Sequence, residues 1–283
     1  DGDFAIVGTP SISSAYVFER DPATNQWAEK TKLTETGGFP GTDHGISVAV
    51  SGDIAIVGAP KDDGPPVAIG IRGAAYVYVR DPGTEAWSKE AVLTPSDPTD
   101  NFFGESVDLL GEIAVVGARG EFVDNGSAYV FIRDAATGTW SEQARLTASD
   151  GVAGDFFGRS VSIGGGFVAV GAPSRNNARG AVYVFVRNPV LGAWDEQAII
   201  PNNDLGRSNF GRSVSLDGAS LLIGVPIETN GPGSAHLYDF NPATTTWELV
   251  DVFVPGDSNV PVNDDDFGLS VSLSGGTALV GAP

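Results

Sequence analysis

Short apolar runs recur along the chain, and they lack the alternation of a half-buried strand. Ile54-Ala55-Ile56-Val57 is one of them, and the segments around such runs resemble each other: DFAIVGTP (3–10), DIAIVGAP (53–60), EIAVVGAR (112–119), FVAVGAP (167–173), SLLIGVP (220–226) and TALVGAP (277–283). A short apolar run bounded by turn residues predicts a strand buried on both faces. The first glycines of the six segments are Gly8, Gly58, Gly117, Gly171, Gly224 and Gly281, spaced 50, 59, 54, 53 and 57 residues apart.

Other positions keep the same beat. Thirteen residues before each of the last five glycines stands another: Gly45, Gly104, Gly158, Gly211 and Gly268. Phe precedes four of these (Phe103, Phe157, Phe210, Phe267) and His44 precedes the first, while Ser-Val follows two residues later each time. After the glycine-bearing segment comes AYVF (15–18), AYVY (75–78), AYVF (128–131), VYVF (182–185) or AHLY (235–238). Eleven residues past the Tyr position stands Trp27, Trp87, Trp140, Trp194 or Trp247, and six further on Leu33, Leu93, Leu146, Ile200 or Phe253.

Each period therefore holds four short strands: A (FGxSV), B (the GAP segment), C (AYVF) and D (Trp to Leu). The A–B turns carry glycine, as at Ser51-Gly52-Asp53, and the C–D turns read Asp21-Pro22, Asp81-Pro82, Asn188-Pro189 and Asn241-Pro242. Gly supplies a positive φ, and Asp-Pro or Asn-Pro presets a turn. A four-stranded repeat of this length predicts an all-β fold, a β-propeller of four-stranded antiparallel blades. The units are 1–43 (strands B–D), 44–101, 102–155, 156–209, 210–266 and 267–283 (strands A–B), forming one domain or the major part of one. Because the chain begins and ends in a B strand, the reading favours a segment of a larger ring with open blade edges over a closed five-blade ring.

Loop lengths indicate a face. The A–B and C–D spacings are constant. From the B glycine to the Tyr position the counts are 8, 18, 12, 12 and 12, and from the end of D to the next A glycine 12, 11, 12, 11 and 15. In an antiparallel meander the B–C and D–A loops share one end, so all the variation falls there. Uniform turns with diversified loops point to a binding face. Its candidate residues are Asp62, Asp63 and Arg72 in the longest B–C loop. Glu105, Arg159 and Arg212, each next to an A glycine, offer a polar ring near the mouth of a central channel. The other D–A loops each bring a carboxylate to the same rim: Asp43, Asp97, Asp100, Asp150, Asp155 and Asp204.

Composition narrows the function. The formal charge is −20 and the pI about 4.2, which excludes a nucleic-acid face. No apolar run is long enough to insert into a membrane. With no Cys there is no disulfide or thiolate chemistry. The run Asp264, Asp265, Asp266 is the first place to look for Ca²⁺, which takes oxygen ligands, although no loop carries an EF-hand pattern; no other cofactor is expected. The five Trp and the Phe before each A glycine read as packing between blades. Arg20, Arg80, Arg133 and Arg187, seven residues before a Trp, read as stacking partners of that Trp. His44 and His236 break the repeat, and breaks can mark a site. Asn125-Gly126-Ser127 fits a glycosylation sequon and equally a turn. Neither G-x-S-x-G nor H-E-x-x-H occurs, so no catalytic motif is present.

The pattern F-G-x-S-V, V-G-A-P, A-Y-V-F, W resembles the FG-GAP repeat of the integrin α-subunit propeller, in the shorter form of bacterial and algal surface proteins. The resemblance covers essentially the whole chain. It implies a propeller, usually of seven blades, whose ligands approach the B–C and D–A loops. It implies an extracellular or cell-surface protein engaged in adhesion or scaffolding. Integrin repeats often place an Asp-rich calcium loop between A and B; here those turns are too short and too poor in carboxylates, so those metal sites are not carried over. The function expected is non-catalytic recognition of a protein or glycan. The alternatives are a structural subunit of a surface assembly, partnered at open blade edges, and a carbohydrate-active enzyme using loop carboxylates.

Overall fold

In the computed structural model, residues 2–35, 41–62, 72–120, 125–202, 206–227, 231–256 and 266–283 are described. Six antiparallel sheets follow one another in sequence. The first has three strands, β1 (Phe4–Thr9), β2 (Ser14–Arg20) and β3 (Trp27–Thr34). The second has four, β4 (Val48–Ser51), β5 (Ile54–Ala59), β6 (Ala74–Arg80) and β7 (Trp87–Leu93). The third holds β8 (Phe103–Leu110), β9 (Ile113–Ala118), β10 (Ser127–Arg133) and β11 (Trp140–Leu146). The fourth holds β12 (Ser160–Gly164), β13 (Phe167–Ala172), β14 (Ala181–Arg187) and β15 (Trp194–Pro201). The fifth holds β16 (Val214–Asp217), β17 (Ser220–Val225), β18 (Ser234–Asn241) and β19 (Thr246–Phe253), and the sixth β20 (Ser270–Ser274) and β21 (Thr277–Gly281). Each sheet is a plain up-and-down meander, the blade of a β-propeller.

The chain divides into two compact units, residues 1–119 with 129–145, and residues 120–128 with 146–283. Within each, the cores lie between successive sheets. In the first unit Val17 and Leu33 pack with Val57 and Tyr76, and Ile56 and Val77 pack with Val107 and Val116. In the second unit Val184 and Ile200 pack with Leu216 and Ile223. The second blade is therefore covered on both faces, and β5, like β13 in the second unit, is buried at every residue. That is why their sequences run apolar without alternation.

The repeated glycines and serines join one blade to the next. A Cβ on Gly58 would lie 2.0 Å from the Gly104 carbonyl oxygen, and one on Gly171 2.0 Å from that of Gly211. Only hydrogen fits between such backbones. The Ser two residues after each A glycine fixes the same seam. Ser47, Ser160 and Ser213 donate to the carbonyls of Gly104, Gly211 and Gly268 at 2.8, 2.8 and 2.9 Å.

Trp87, Trp140 and Trp247 pack between blades, as expected, whereas Trp27 of the first blade is 49% exposed. Trp87 stands edge-on to Phe4 at 5.8 Å, and Trp247 edge-on to Phe167 at 5.2 Å. Their indole N–H groups follow a rule invisible in the sequence. β3, β7, β15 and β19 each carry a β-bulge, and in β7 and β15 the bulged residue reaches the next blade: Glu90 accepts from Trp140 Nε1 at 3.0 Å, and Gln197 from Trp247 Nε1 at 2.9 Å. The Phe before the A glycine also packs between blades: Phe103 and Phe210 are buried in the cores between the second and third and between the fourth and fifth blades, and Phe103 meets Tyr129 at 5.4 Å and Phe131 at 6.0 Å on strand C. One expectation is corrected in the first three blades. The strand-C arginines bind carboxylates rather than stacking on Trp: Arg20 pairs with Asp3, Arg133 grips Glu90 at 2.8 and 2.6 Å, and Arg80 lies over Phe4.

A buried polar cluster at the loop end of the second blade

Within each unit the variable loops of neighbouring blades meet at one end. Lys61 N donates to Thr42 O at 3.1 Å, Phe103 N to Arg72 O at 2.8 Å, Ser174 N to Asp155 O at 3.2 Å and Phe267 N to Pro232 O at 3.0 Å. Each bond ties a B–C loop to the adjoining D–A loop. The opposite end holds the uniform turns, where Asp21, Asp81 and Asp134 cap their own backbone two residues on.

The loop carboxylates are not all at the rim. Asp62, Asp100 and Asp155 are buried. For Asp62 and Asp100 the cause is the strand-C tyrosine. Its hydroxyl ends inside the loop layer and needs a partner. Tyr76 donates to Asp62, Tyr129 to Asp100, and Tyr183 to Asp150, the last at 2.6 Å. A carboxylate taken out of water in turn needs a positive charge. In the third blade Arg145 supplies it, holding Asp100 through Nε at 2.9 Å and Nη2 at 3.0 Å. In the fourth, Asp150 stays exposed, and Arg175 pairs with it while lying over the Tyr183 ring.

The second blade is arranged differently. Here Asp62 and Tyr76 meet a second acid, Glu35, which accepts from Thr42 Oγ1 at 2.9 Å. His44 completes the cluster. It is fully buried, its Nε2 lies 3.1 Å from the Tyr78 hydroxyl, and its ring stands edge-on to Tyr76 at 5.2 Å. Burial pushes the imidazole down to about 4, against the pull of Asp62. Burial, and then the charge of Asp62, raises the Glu35 carboxyl above its ordinary range, while the hydrogen bond from Thr42 opposes this. The Tyr76 and Tyr78 phenols are raised too, again chiefly by burial. Four buried side-chain polar atoms among the described residues find no partner, and two of them, Glu35 Oε2 and His44 Nδ1, belong to this one cluster. Native structures rarely leave such atoms orphaned.

Of the residues singled out by sequence, Asp62 and His44 are in the cluster. Asp63 lies outside the described residues, as do Asp204, Asp264 and Asp265. Asp266 is exposed, in the turn that Leu269 N closes at 2.8 Å. Among the described residues no three His, Asp or Glu are grouped to hold a metal ion. Arg72 serves the loop end through its carbonyl. Glu105 faces Arg119 at 3.7 Å. Arg159 and Arg212 are neighbours: burial first, and Arg212 second, lowers the Arg159 guanidinium to about 10. Asn125 of the sequon is exposed and donates to Gly151 O at 3.3 Å, whereas Ser127 is buried. Sequence reading missed Glu35, Thr42 and the two tyrosine hydroxyls. The signal available was a Tyr kept at a position where Phe would pack equally well.

A model of the FG-GAP repeat matches residues 27–78, 87–131 and 140–185, half of the chain. The chain belongs to the FG-GAP repeat family. Each match of this FG-GAP chain runs from a D-strand Trp to the next C strand, the span that crosses the seam between blades. No curated protein matches it. Among solved structures it is similar to Sqt1 of Saccharomyces cerevisiae, with TM-score 0.55 and 13% identity over 99% of this chain and 65% of that one. The chain thus spans 65% of the length of that protein. It is also similar to a putative 6-phosphogluconolactonase from Bacteroides fragilis, with TM-score 0.60 and 12% identity over 94% of this chain and 71% of that one. At these identities the likeness is one of fold.

Proposed function

We propose that this FG-GAP chain is a non-catalytic recognition module, extracellular or at a cell surface, that binds a protein or glycan through its B–C and D–A loops. One observation carries the reading: the turns at one end of the blades are held at fixed length, while the loops at the other end range from 8 to 18 residues and from 11 to 15 in the spacings that contain them. Membership of the FG-GAP family supports an extracellular setting. Among the described residues no helix is long and apolar enough to cross a membrane. The test is binding of the immobilised chain to glycan and extracellular-protein arrays, repeated with the 63–71 loop replaced by the short fourth-blade loop. Saturable binding that the swap removes supports the reading; binding unaffected by any loop swap sinks it.

A second reading, a structural subunit of a surface assembly, is favoured by β19. Leu249, Val250 and Val252 are 52%, 55% and 41% exposed there. The sister strands carry Glu29, Lys30 and Lys32, or Lys89 and Glu90, in the same stretch. An apolar edge strand invites pairing. Concentration-dependent association abolished by Val250→Lys would favour assembly; a monomer at all concentrations would remove it.

A further inference from the structure

In the first three blades the strand-C arginine is held by carboxylates near the uniform-turn end. Arg20 pairs with Asp3, Arg80 with Asp53 and Glu85, and Arg133 with Glu90 and Glu112. In the fourth blade the backbone contact behind this arrangement survives. Arg187 N donates to Gly166 O at 3.0 Å, as Arg20 N does to Asp3 O and Arg80 N to Asp53 O at 2.8 Å. The carboxylates do not survive. Gly166 stands where the sister blades have Asp3, Asp53 and Glu112, Gly192 where the second has Glu85, and Asn188 where the first three have Asp21, Asp81 and Asp134. The half-buried Arg187 side chain is left with no ion pair or hydrogen bond among the described residues.

The same turn departs from its sisters in a second way. Its central residues are Val190 and Leu191, 88% and 78% exposed, the most exposed large apolar side chains among the described residues. The sister turns carry Ala23-Thr24, Gly83-Thr84, Ala136-Thr137 and Ala243-Thr244 there. In the first three the Thr hydroxyl accepts a backbone N–H two residues on. Leu191 gives up that bond, and the Asn188 side chain is left to cap the turn, accepting from Val190 N and Leu191 N at 3.0 Å. Neither change helps the blade to fold. Both suit a contact with another surface, where the aliphatic pair gains by leaving water and the cation by meeting a carboxylate.

A carboxylate stands beside the same turn. Asp195 is exposed, has no partner among the described residues, and follows Trp194, which lies directly opposite Arg187 in the ladder. Opposite residues share a face and the next residue takes the other, so Asp195 points away from the Arg187 of its own chain. A two-fold axis between two such turns exchanges the faces. It sets Asp195 of each copy beside Arg187 of the other, and the two Val190-Leu191 pairs against each other. We infer that the fourth-blade turn is a self-association surface, at which two copies of this chain meet about a two-fold axis. Val190 and Leu191 form its apolar centre, and the reciprocal Arg187–Asp195 pairs form its rim. This deepens the assembly reading, on which it rests, with residues other than those of β19. A contact between two turns is small, so the association is weak and reversible.

The test is sedimentation equilibrium of the intact chain at physiological ionic strength. The expected result is a monomer–dimer equilibrium with a dissociation constant between about 0.1 and 1 mM. Val190→Ala combined with Leu191→Thr rebuilds the sister turn; it should melt no lower than the parent and weaken association about tenfold or more. Arg187→Glu and Asp195→Lys should each weaken it about threefold or more, because each sets like charges against one another across the axis. Mixing these two variants restores both ion pairs between the copies and should recover the association of the parent. A residue that only supported the fold would not be rescued in this way. Parent affinity in the rebuilt-turn variant overturns the inference. So does a mixture no tighter than either variant alone, or a chain that stays monomeric up to about 1 mM. Binding to phosphatidylcholine vesicles that the rebuilt turn removes, with no dimer in solution, would give the surface to a lipid and overturn the inference as well. Dimerisation lost with Val250→Lys but kept with the rebuilt turn sinks only this inference, whereas a monomer under all conditions sinks the assembly reading too.

Discussion

Lys30 occupies the D-strand bulge of the first blade, the position that Glu90 and Gln197 use to accept an indole N–H from the next blade. An ammonium has no acceptor. Accordingly Trp87 Nε1, the indole it should serve, is buried without a partner. Lys30 instead pairs with Glu19 at 2.5 Å and sits close enough to Arg80 to feel its like charge. Replacing Lys30 with Gln copies the Gln197–Trp247 bond. Satisfying one orphaned buried donor stabilises by about 1–2 kcal/mol. The lost Lys30–Glu19 pair is solvent-exposed, and such pairs contribute little. The net gain should be about 1 kcal/mol, or roughly 2–4 °C in a protein of this size. The assay is urea unfolding followed by Trp fluorescence and circular dichroism, with Lys30→Met as control. Met removes the pair and the repulsion but offers no useful acceptor. If Gln stabilises no more than Met, the indole N–H is not the source of the cost and the reasoning fails.

Three further outcomes follow from the same geometry. His44→Phe restores the residue of the sister blades; the wild-type imidazole, held neutral down to about 4, contributes stability that is fully present above its unfolded value of 6.5 and is lost as pH falls between the two. The variant should therefore lack roughly 3 kcal/mol of acid sensitivity at most, read from unfolding midpoints at pH 7 and 4.5; parallel pH profiles would refute the assignment. Glu90→Ala should cost about 1–3 kcal/mol, because it leaves the Trp140 indole N–H without an acceptor and Arg133 with Glu112 alone. The Glu90 carboxyl is lowered first of all by Arg133, so this contribution stands above its ordinary value of 4.5 and fades as pH falls below it; a loss under about 0.5 kcal/mol at pH 7, that of an ordinary surface change, would count against the bond network. Gly58→Ala sets a Cβ 2.0 Å from backbone oxygen across the seam and should destabilise by about 3 kcal/mol or more, or leave no folded chain in expression trials, while Gly52→Ala, where a Cβ meets nothing, stays folded.

The repeat, the strand order, the turns and the end of the blade where variation collects are all legible in the sequence. These are set by local chemistry. An apolar run buries both faces, Gly or an Asp-Pro pair shapes the turn, and each repeats at a countable spacing. The sequence also indicated His44 and Asp62, one as a break in the repeat and the other as a charge in the longest loop. What those residues meet depends on how the blades stack. Glu35 ends one blade and Asp62 follows the B strand of the next, and only stacking of the two brings them to one tyrosine. The same stacking decided that Lys30 faces Trp87. Side-chain partners across a blade boundary depend on a rigid-body fit, in which a bulge or one turn of backbone moves a group to a different neighbour. No periodicity in the chain encodes that fit.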